Sequence, residues 1–160
     1  MAGRSHANLR RLCPTSHGRA ARRGYNVGMS DSAEGVARAF VRAINRQDVE
    51  GLAALMAPGH RFVDSLGAVV EGREAMLAGW AEYFRMVPDY SIAVEETLCD
   101  GAIVVMLGVA QGTYSPDGRL RAENRWETPG AFRAFVEDGL VAEWRVYADN
   151  EPIRGKMRKA

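Results

Sequence analysis

The chain is poor in the features that mark most specialised classes of protein. Its 160 residues include only two cysteines, Cys13 and Cys99, which form neither a disulfide framework nor a Cys-x-x-Cys pair and fit a reducing compartment. No apolar run reaches the roughly 18 to 20 residues that cross a bilayer, and the N-terminus lacks the apolar block of a secretory signal. These absences predict a cytoplasmic protein with no membrane segment.

Motifs for common cofactors are also missing. Walker, dinucleotide-binding and Gly-x-Ser-x-Gly patterns do not occur, which argues against ATP, NAD and serine-hydrolase chemistry. His60 is the only histidine after residue 28, and no cluster of His, Cys or carboxylate residues at ligand spacing accompanies it. We therefore predict neither a cofactor nor a metal site.

The net charge of +1 conceals a segregation of charge along the chain. Residues 1–28 contain six arginines and no acid, and residues 151–160 contain four basic residues against Glu151, so the intervening body carries −8. Such a body repels a phosphate backbone, which argues against nucleic-acid binding except through the tails. We interpret residues 1–28 as a disordered, dispensable extension, with Met29 as a natural start. A targeting peptide or a basic nucleic-acid arm are the alternatives.

What is present is an ordinary globular composition, with 47% hydrophobic and 26% charged residues. Apolar residues at steps of three and four predict helices over 33–47 and 49–56, begun by Asp31 and Asp48, and a third from Arg73 to Pro88. A strand between the second and third helices ends at Asp64. We place one domain at 29–153, followed by a basic tail at 154–160.

After Pro88 the apolar period changes from 3.6 to 2. Strands are predicted over 90–99 and 102–114, joined by Asp100-Gly101, and over 131–137 and 140–149, joined by Asp138-Gly139. Asp-Gly between alternating segments is a strong hairpin signal because both turn residues need positive φ. Helices followed by an antiparallel meander predict an α+β layer fold.

Three segments resemble the SnoaL-like branch of the nuclear transport factor 2 superfamily. They are residues 40–48 (FVRAINRQD), residues 62–67 (FVDSLG) with the following Glu71-Gly72-Arg73, and residues 138–149 (DGLVAEWRVYAD). The resemblance implies a cone in which three helices and a curved, mainly antiparallel sheet enclose an apolar pocket, commonly in a dimer that packs sheet on sheet.

Within that superfamily, Asp64 occupies the place of the proton-abstracting Asp of ketosteroid isomerases. Phe40 and Ala131 stand where those enzymes keep two oxyanion donors, which argues against steroid isomerisation. Val146 likewise replaces a catalytic acid of the related limonene-epoxide hydrolases. SnoaL-type polyketide cyclases use one carboxylate as acid and base, which Asp64 or Asp149 could supply.

The last hairpin allows the inward face to be predicted from register. A two-residue turn at Asp138-Gly139 would set Arg133 opposite Trp144, on the side of the sheet that faces the pocket. Arg133 would then bind Asp64 or an anionic substrate, whereas a one-residue bulge would turn it to solvent. The opposite face, with Phe132, Val136 and Tyr147 among its members, would be apolar and would form a homodimer.

Two main hypotheses follow from these residues. The first is a small dimeric enzyme that acts on an apolar or polycyclic carbonyl-bearing molecule, with Asp64 moving the proton. The expected substrate-binding residues are Phe40, Phe62, Trp80, Phe84, Arg133 and Trp144. The second is a non-catalytic ligand-binding or dimerisation module in which Asp64 only accepts backbone hydrogen bonds in its own turn.

Overall fold

The computed structural model describes residues 32–158, in which four α-helices pack against a curved six-stranded sheet. The helices are α1 (Ala33–Asn45), α2 (Val49–Leu55), α3 (Arg73–Met86) and α4 (Glu151–Met157). The strands are β1 (Met56–Val63), β2 (Val69–Glu71), β3 (Ser91–Asp100), β4 (Ile103–Thr113), β5 (Arg125–Glu137) and β6 (Leu140–Ala148). The predicted α+β architecture is confirmed. The predicted N-terminal extension lies outside the described residues.

The sheet has the strand order β2-β1-β6-β5-β4-β3. Strands β1 and β6 run parallel, and every other neighbouring pair is antiparallel. Helix α1 covers the inner face of the sheet, with Val36, Phe40 and Ile44 buried along one side. Their spacing of four residues is what puts them on a single helical face.

The helix starts follow from side-chain capping. The Ser32 Oγ accepts a hydrogen bond from the Gly35 N–H at 3.0 Å and caps α1, while the predicted cap, Asp31, lies outside the described residues. Asp48 caps α2 as predicted, because its Oδ1 accepts from the Gly51 N–H at 2.7 Å. Helix α4 was not predicted, and the structure places it directly after β6.

The second helix ends one residue earlier than predicted, and the chain turns at once into a strand. Helix α2 ends at Leu55, and both Pro58 and Gly59 lie within β1. The pairing of β1 with β6 is irregular between Met56 and Arg61. A proline is tolerated in a strand where the ladder is interrupted, because no partner then needs its missing N–H.

The two hairpin turns differ in their agreement with prediction. Asp138 and Gly139 have φ of 50° and 75°, so both are left-handed as predicted. In the other hairpin Asp100 still pairs with Ile103, and the turn consists of Gly101 and Ala102. Only Gly101 has positive φ there, at 57°, so the predicted Asp100-Gly101 turn is wrong by one residue.

The predicted register of the last hairpin is wrong beyond its first two pairs. Glu137 faces Leu140 and Val136 faces Val141, but Phe135 then faces Glu143, so Ala142 is an extra residue in β6. Arg133 consequently lies opposite Arg145, and Trp144 lies opposite Ala134. This bulge reverses the predicted faces of β5, so that Phe132, Ala134 and Val136 point into the core.

Candidate active site

A cavity of about 340 Å³ lies between α3 and the inner face of the sheet. This volume is within the range of pockets that hold small molecules. Its wall is formed by residues of α3, of all strands except β3, and of α4 and the segments flanking the strands. They are Phe62, Asp64, Ser65, Val70, Ala75, Met76, Gly79, Trp80, Tyr83, Tyr90, Ala110, Trp126, Thr128, Phe132, Trp144, Val146, Ala148, Asn150 and Ile153.

One side of the cavity is a continuous series of aromatic rings. Trp80 and Tyr83 share a face of α3 because they are three residues apart, and their ring centroids are 6.2 Å apart. Tyr90 follows at 5.0 Å from Tyr83, and Trp126 at 6.1 Å from Tyr90. Each ring is held by its neighbours, so this wall presents fixed aromatic surfaces to a ligand.

Burial changes the acid–base behaviour of the two tyrosines in this series. It raises the pKa of both Tyr83 and Tyr90 above the ordinary value for tyrosine. For Tyr90 the nearby Tyr83 raises the pKa further. Both hydroxyls therefore remain protonated at neutral pH and can donate hydrogen bonds to a ligand oxygen.

Asp64 lies on the cavity wall, just past the end of β1, and is half-buried. Its Oδ1 accepts hydrogen bonds from the N–H groups of Leu66 and Ala68, both at 2.8 Å. The Gly67 N–H donates to the Asp64 carbonyl, which closes the turn. Oδ2 has no hydrogen-bond partner within residues 32–158. One oxygen thus fixes the carboxylate in its turn, and the other is available to a ligand.

All three tryptophans of the chain, Trp80, Trp126 and Trp144, line the cavity. Each is at least 94% buried, with exposures of 5%, 6% and 1%. None of their indole N–H groups finds an acceptor in the described part of the chain. The Ser65 Oγ is likewise buried without a hydrogen-bond partner among the described residues. Because buried polar groups are nearly always hydrogen-bonded, these unpaired groups are unusual.

The structure distributes the predicted substrate-binding residues over three locations. Phe62, Trp80 and Trp144 line the cavity. Phe40 and Phe84 are instead in the core behind it, with Phe40 packed 5.0 Å from Trp144 and Phe84 stacked 5.2 Å from Trp80. They support the cavity wall without forming it.

Arg133 is on the far side of the sheet, which corrects its predicted place in the pocket. Its Nη1 donates to Glu143 Oε1 at 2.6 Å, and Arg61 Nη1 donates to Glu143 Oε2 at the same distance. Arg133 therefore belongs to an ion network on the outer face. The one-residue bulge at Ala142 is the reason, because it moves Arg133 from opposite Trp144 to opposite Arg145.

Two other polar residues of interest have structural roles. Asp149 is exposed, and its Oδ1 accepts from the Glu151 N–H at 2.8 Å at the start of α4. The fully buried His60 shares a 2.7 Å hydrogen bond between Nδ1 and the Val141 carbonyl. No group of three or more His, Cys, Asp or Glu side chains within the described residues could hold a metal ion.

Sequence reasoning missed several cavity residues, among them Tyr90, Trp126, Thr128 and Asn150. Strand β5 was predicted to begin at Ala131, whereas it begins at Arg125. The inward series Trp126, Thr128, Phe132 has the period of two that marks a strand face. Only the interruption at Pro129-Gly130 hid that signal.

The fold and its cavity define a class of small α+β proteins in which a helix and a curved sheet enclose a cavity. A family model described as the SnoaL-like domain matches residues 37–144. The chain belongs to the SnoaL-like family, within the nuclear transport factor 2 superfamily. No protein of curated function matches the sequence. None of the helices in residues 32–158 combines the length and apolar character needed to cross a membrane.

Solved structures with the same fold have varied descriptions. IdmH from Streptomyces antibioticus, a proposed polyketide cyclase, is 22% identical, with 79% of this chain and 98% of that chain covered and a TM-score of 0.65. An epoxide hydrolase from M. tuberculosis is 16% identical, with 79% and 90% covered and a TM-score of 0.65. A protein from Catenulispora acidiphila with a ketosteroid isomerase-like fold, solved in complex with trimethylamine, is 18% identical, with 76% and 90% covered and a TM-score of 0.66.

Proposed function

We propose that this protein is a SnoaL-like enzyme that uses Asp64 as a general acid and base on an apolar or polycyclic, carbonyl-bearing substrate. The observation that carries the proposal is the position of the Asp64 carboxylate on the wall of a largely aromatic cavity, with Oδ2 not engaged by the described residues. A cyclase, isomerase or hydrolase reaction is compatible with this arrangement. Related structures described as a proposed polyketide cyclase and an epoxide hydrolase support that range.

The chemistry would use the two sides of the cavity differently. Asp64 would take a proton from the carbon next to a carbonyl group and return it later in the reaction. The negative charge that develops on the carbonyl oxygen would be met by hydrogen-bond donors of the aromatic wall, such as the Tyr90 hydroxyl. The apolar walls would exclude water, which strengthens those hydrogen bonds.

The matched test is Asp64→Asn. An asparagine keeps an oxygen that can accept from the Leu66 and Ala68 N–H groups, but it cannot act as a base at neutral pH. With β-tetralone as a probe in heavy water, NMR would follow exchange of the proton next to the carbonyl. We expect the rate of protein-catalysed exchange to be about 10²-fold or more lower in the variant than in the wild type. Asp149→Asn, which alters an exposed carboxylate outside the cavity, is the control and should retain it.

A non-catalytic ligand-binding module is the second candidate, and one observation favours it. The two backbone hydrogen bonds to Asp64 Oδ1 are those of a carboxylate that stabilises its own turn. On this alternative, Asp64→Asn would leave proton exchange at the level of the wild type. Asp64→Ala would lower the melting temperature, because both N–H groups would lose their acceptor.

We further propose that the protein is a cytoplasmic homodimer that packs through the outer face of the sheet. The bulge changes the composition of that face from the predicted one. Leu98 on β3 and Tyr147 on β6 are 45% and 50% exposed there, and the half-buried Leu107 on β4 lies in the same cross-strand row as Tyr147. Light scattering at micromolar concentration should give the mass of a dimer, and Leu107→Glu should give a monomer. A monomeric wild type would refute this part of the proposal.

A further inference from the structure

We infer that the cavity is a site for organic cations, in which a protonated or quaternary amine on an apolar body pairs with Asp64. The inference takes this cavity as the ligand site, as the proposed function does, but it does not require Asp64 to move a proton. It goes beyond that function by giving the charge of a ligand. Because an amine and a carbonyl-bearing substrate would both use Asp64, such a cation would compete with the proposed substrate.

The wall of the cavity carries a single charge, and that charge is negative. It belongs to the Asp64 carboxylate, and within residues 32–158 no Lys, Arg or His lines the cavity. The hydroxyls of Tyr83 and Tyr90 add no charge, because burial raises the pKa of both above the ordinary value for tyrosine. A cleft lined by one sign of charge, with low-dielectric walls, concentrates ligands of the opposite sign. The wall therefore favours a cation.

Two arginines on the strands beside Asp64 are engaged on the outer face of the sheet. Arg61 Nη1 donates to Glu143 Oε2 at 2.6 Å. The guanidinium carbon of Arg145 lies 5.1 Å from the centre of the Tyr147 ring. Asp64 itself forms no ion pair with any residue in the described part of the chain. Charged groups removed from water are normally paired, so a ligand cation would supply the counter-ion that these residues do not.

The carboxylate is held in place with one oxygen left for a ligand. Its Oδ1 accepts from the N–H groups of Leu66 and Ala68, both at 2.8 Å, which fixes the orientation of the group. Phe62 lies two residues before Asp64 and lines the same cavity, as the period of a strand requires. Trp80 meets Phe62 edge-on, with ring centroids 6.5 Å apart. Aromatic rings beside a carboxylate suit an ammonium group, because the face of a ring attracts cations.

Other charged ligands fit this site poorly. No group of three or more His, Cys, Asp or Glu side chains within residues 32–158 could hold a metal ion, and Ca²⁺ or Mg²⁺ needs about six oxygen ligands. An anionic ligand would be repelled by the carboxylate, and the described lining residues offer it no positive charge. An organic cation combines the charge that complements Asp64 with an apolar body for the rest of the wall.

The test compares two ligands of one shape. Phenyltrimethylammonium and tert-butylbenzene differ only in one central atom, which is a positively charged nitrogen in the first and a neutral carbon in the second. In NMR titrations of the full-length protein, we expect the cation to bind about tenfold or more tighter. Equal affinity for the two, or no binding of the cation at millimolar concentration, would overturn the inference. Tighter binding of benzoate than of the cation would identify an anion site and would also overturn it.

Two asparagine substitutions change the net charge equally at different places. Asp64→Asn keeps an oxygen that can accept from the Leu66 and Ala68 N–H groups. It should remove most of the preference for the cation and leave the affinity for tert-butylbenzene unchanged. Asp149→Asn alters an exposed carboxylate outside the cavity and should preserve the preference. A full preference in Asp64→Asn, or an equal loss in Asp149→Asn, would refute the pairing with Asp64.

The exchange assay separates this inference from the proposed reaction. Phenyltrimethylammonium should inhibit the exchange of β-tetralone competitively, because both molecules would occupy the same cavity. Absence of exchange in the wild type would refute the proposed reaction, and the binding titrations would still test the cation site. Exchange at the full rate in protein saturated with the cation would refute the inference and leave the reaction standing.

Discussion

Burial of His60 makes the stability of the protein sensitive to mild acid. The side chain is fully buried beside Phe40, with ring centroids 5.9 Å apart. Its Nδ1 donates to the Val141 carbonyl, which identifies the proton-bearing nitrogen, and Nε2 has no partner in the described residues. Burial lowers the pKa of His60 below 6.5, although the bond to Val141 and the charge of Glu143 partly oppose the shift.

The sign of the effect follows from proton linkage. The unfolded chain takes up a proton on His60 as the pH falls through 6.5, whereas the folded protein keeps the ring neutral until its lower pKa is reached. Between those two values the unfolded state binds more protons, so the free energy of unfolding decreases as the pH is lowered. The slope approaches about 1.4 kcal/mol per pH unit when the difference in protonation is complete.

The assay is urea unfolding of the wild type and of His60→Asn at closely spaced pH values from about 7.5 to about 5. The asparagine amide can still donate to the Val141 carbonyl but does not titrate. His6 and His17 are present in both proteins, so their contribution cancels in the difference. We expect the variant to be less stable than the wild type at neutral pH. The difference between their free energies of unfolding should become smaller below pH 6.5. Parallel curves over the whole range would refute the reasoning.

Three further substitutions test the packing around the cavity. Phe40→Ala should lower the free energy of unfolding, measured in urea, by about 3–5 kcal/mol, because it removes a fully buried ring behind Trp144. An unfolding midpoint equal to that of the wild type would contradict this. Arg133→Met should lower the free energy of unfolding by about 1 kcal/mol and leave the proton exchange of β-tetralone unchanged, since the arginine pairs with Glu143 on the outer face; slower exchange would place it in the cavity after all. Gly108→Ala should cost about 1–3 kcal/mol, because a Cβ there would collide with the Ala93 carbonyl on β3; a thermal melt like that of the wild type would contradict the close approach of the strands.

The bulge at Ala142 explains why local patterns placed Arg133 incorrectly. Val141 and Trp144 are both buried, with exposures of 0% and 1%, although they are three residues apart. A regular strand would send them to opposite faces, so one extra residue is needed between them. On β5, Phe132, Ala134 and Val136 alternate without interruption. A regular hairpin would have set Arg133 against Trp144, burying a charge in the apolar core, and the bulge avoids that cost.

The sequence by itself determined the first three helices, the two hairpins that follow them and the family. Those features follow from apolar period, from Asp48 as a helix cap and from turn residues that tolerate positive φ, all of which act over a few neighbouring residues. It also identified Asp64 as the carboxylate to examine. The alternation of apolar residues along β6 was enough to predict that Trp144 faces inward.

Only the tertiary structure decided which side chains share the cavity. Trp80, Trp126 and Trp144 are far apart in the chain. The spacing of apolar residues indicates which face of a helix or strand is buried, but it does not say which elements pack together. The same is true of their unsatisfied N–H groups, because the absence of an acceptor depends on every neighbour that packing brings close. The composition of the cavity wall is thus a property of the assembled fold.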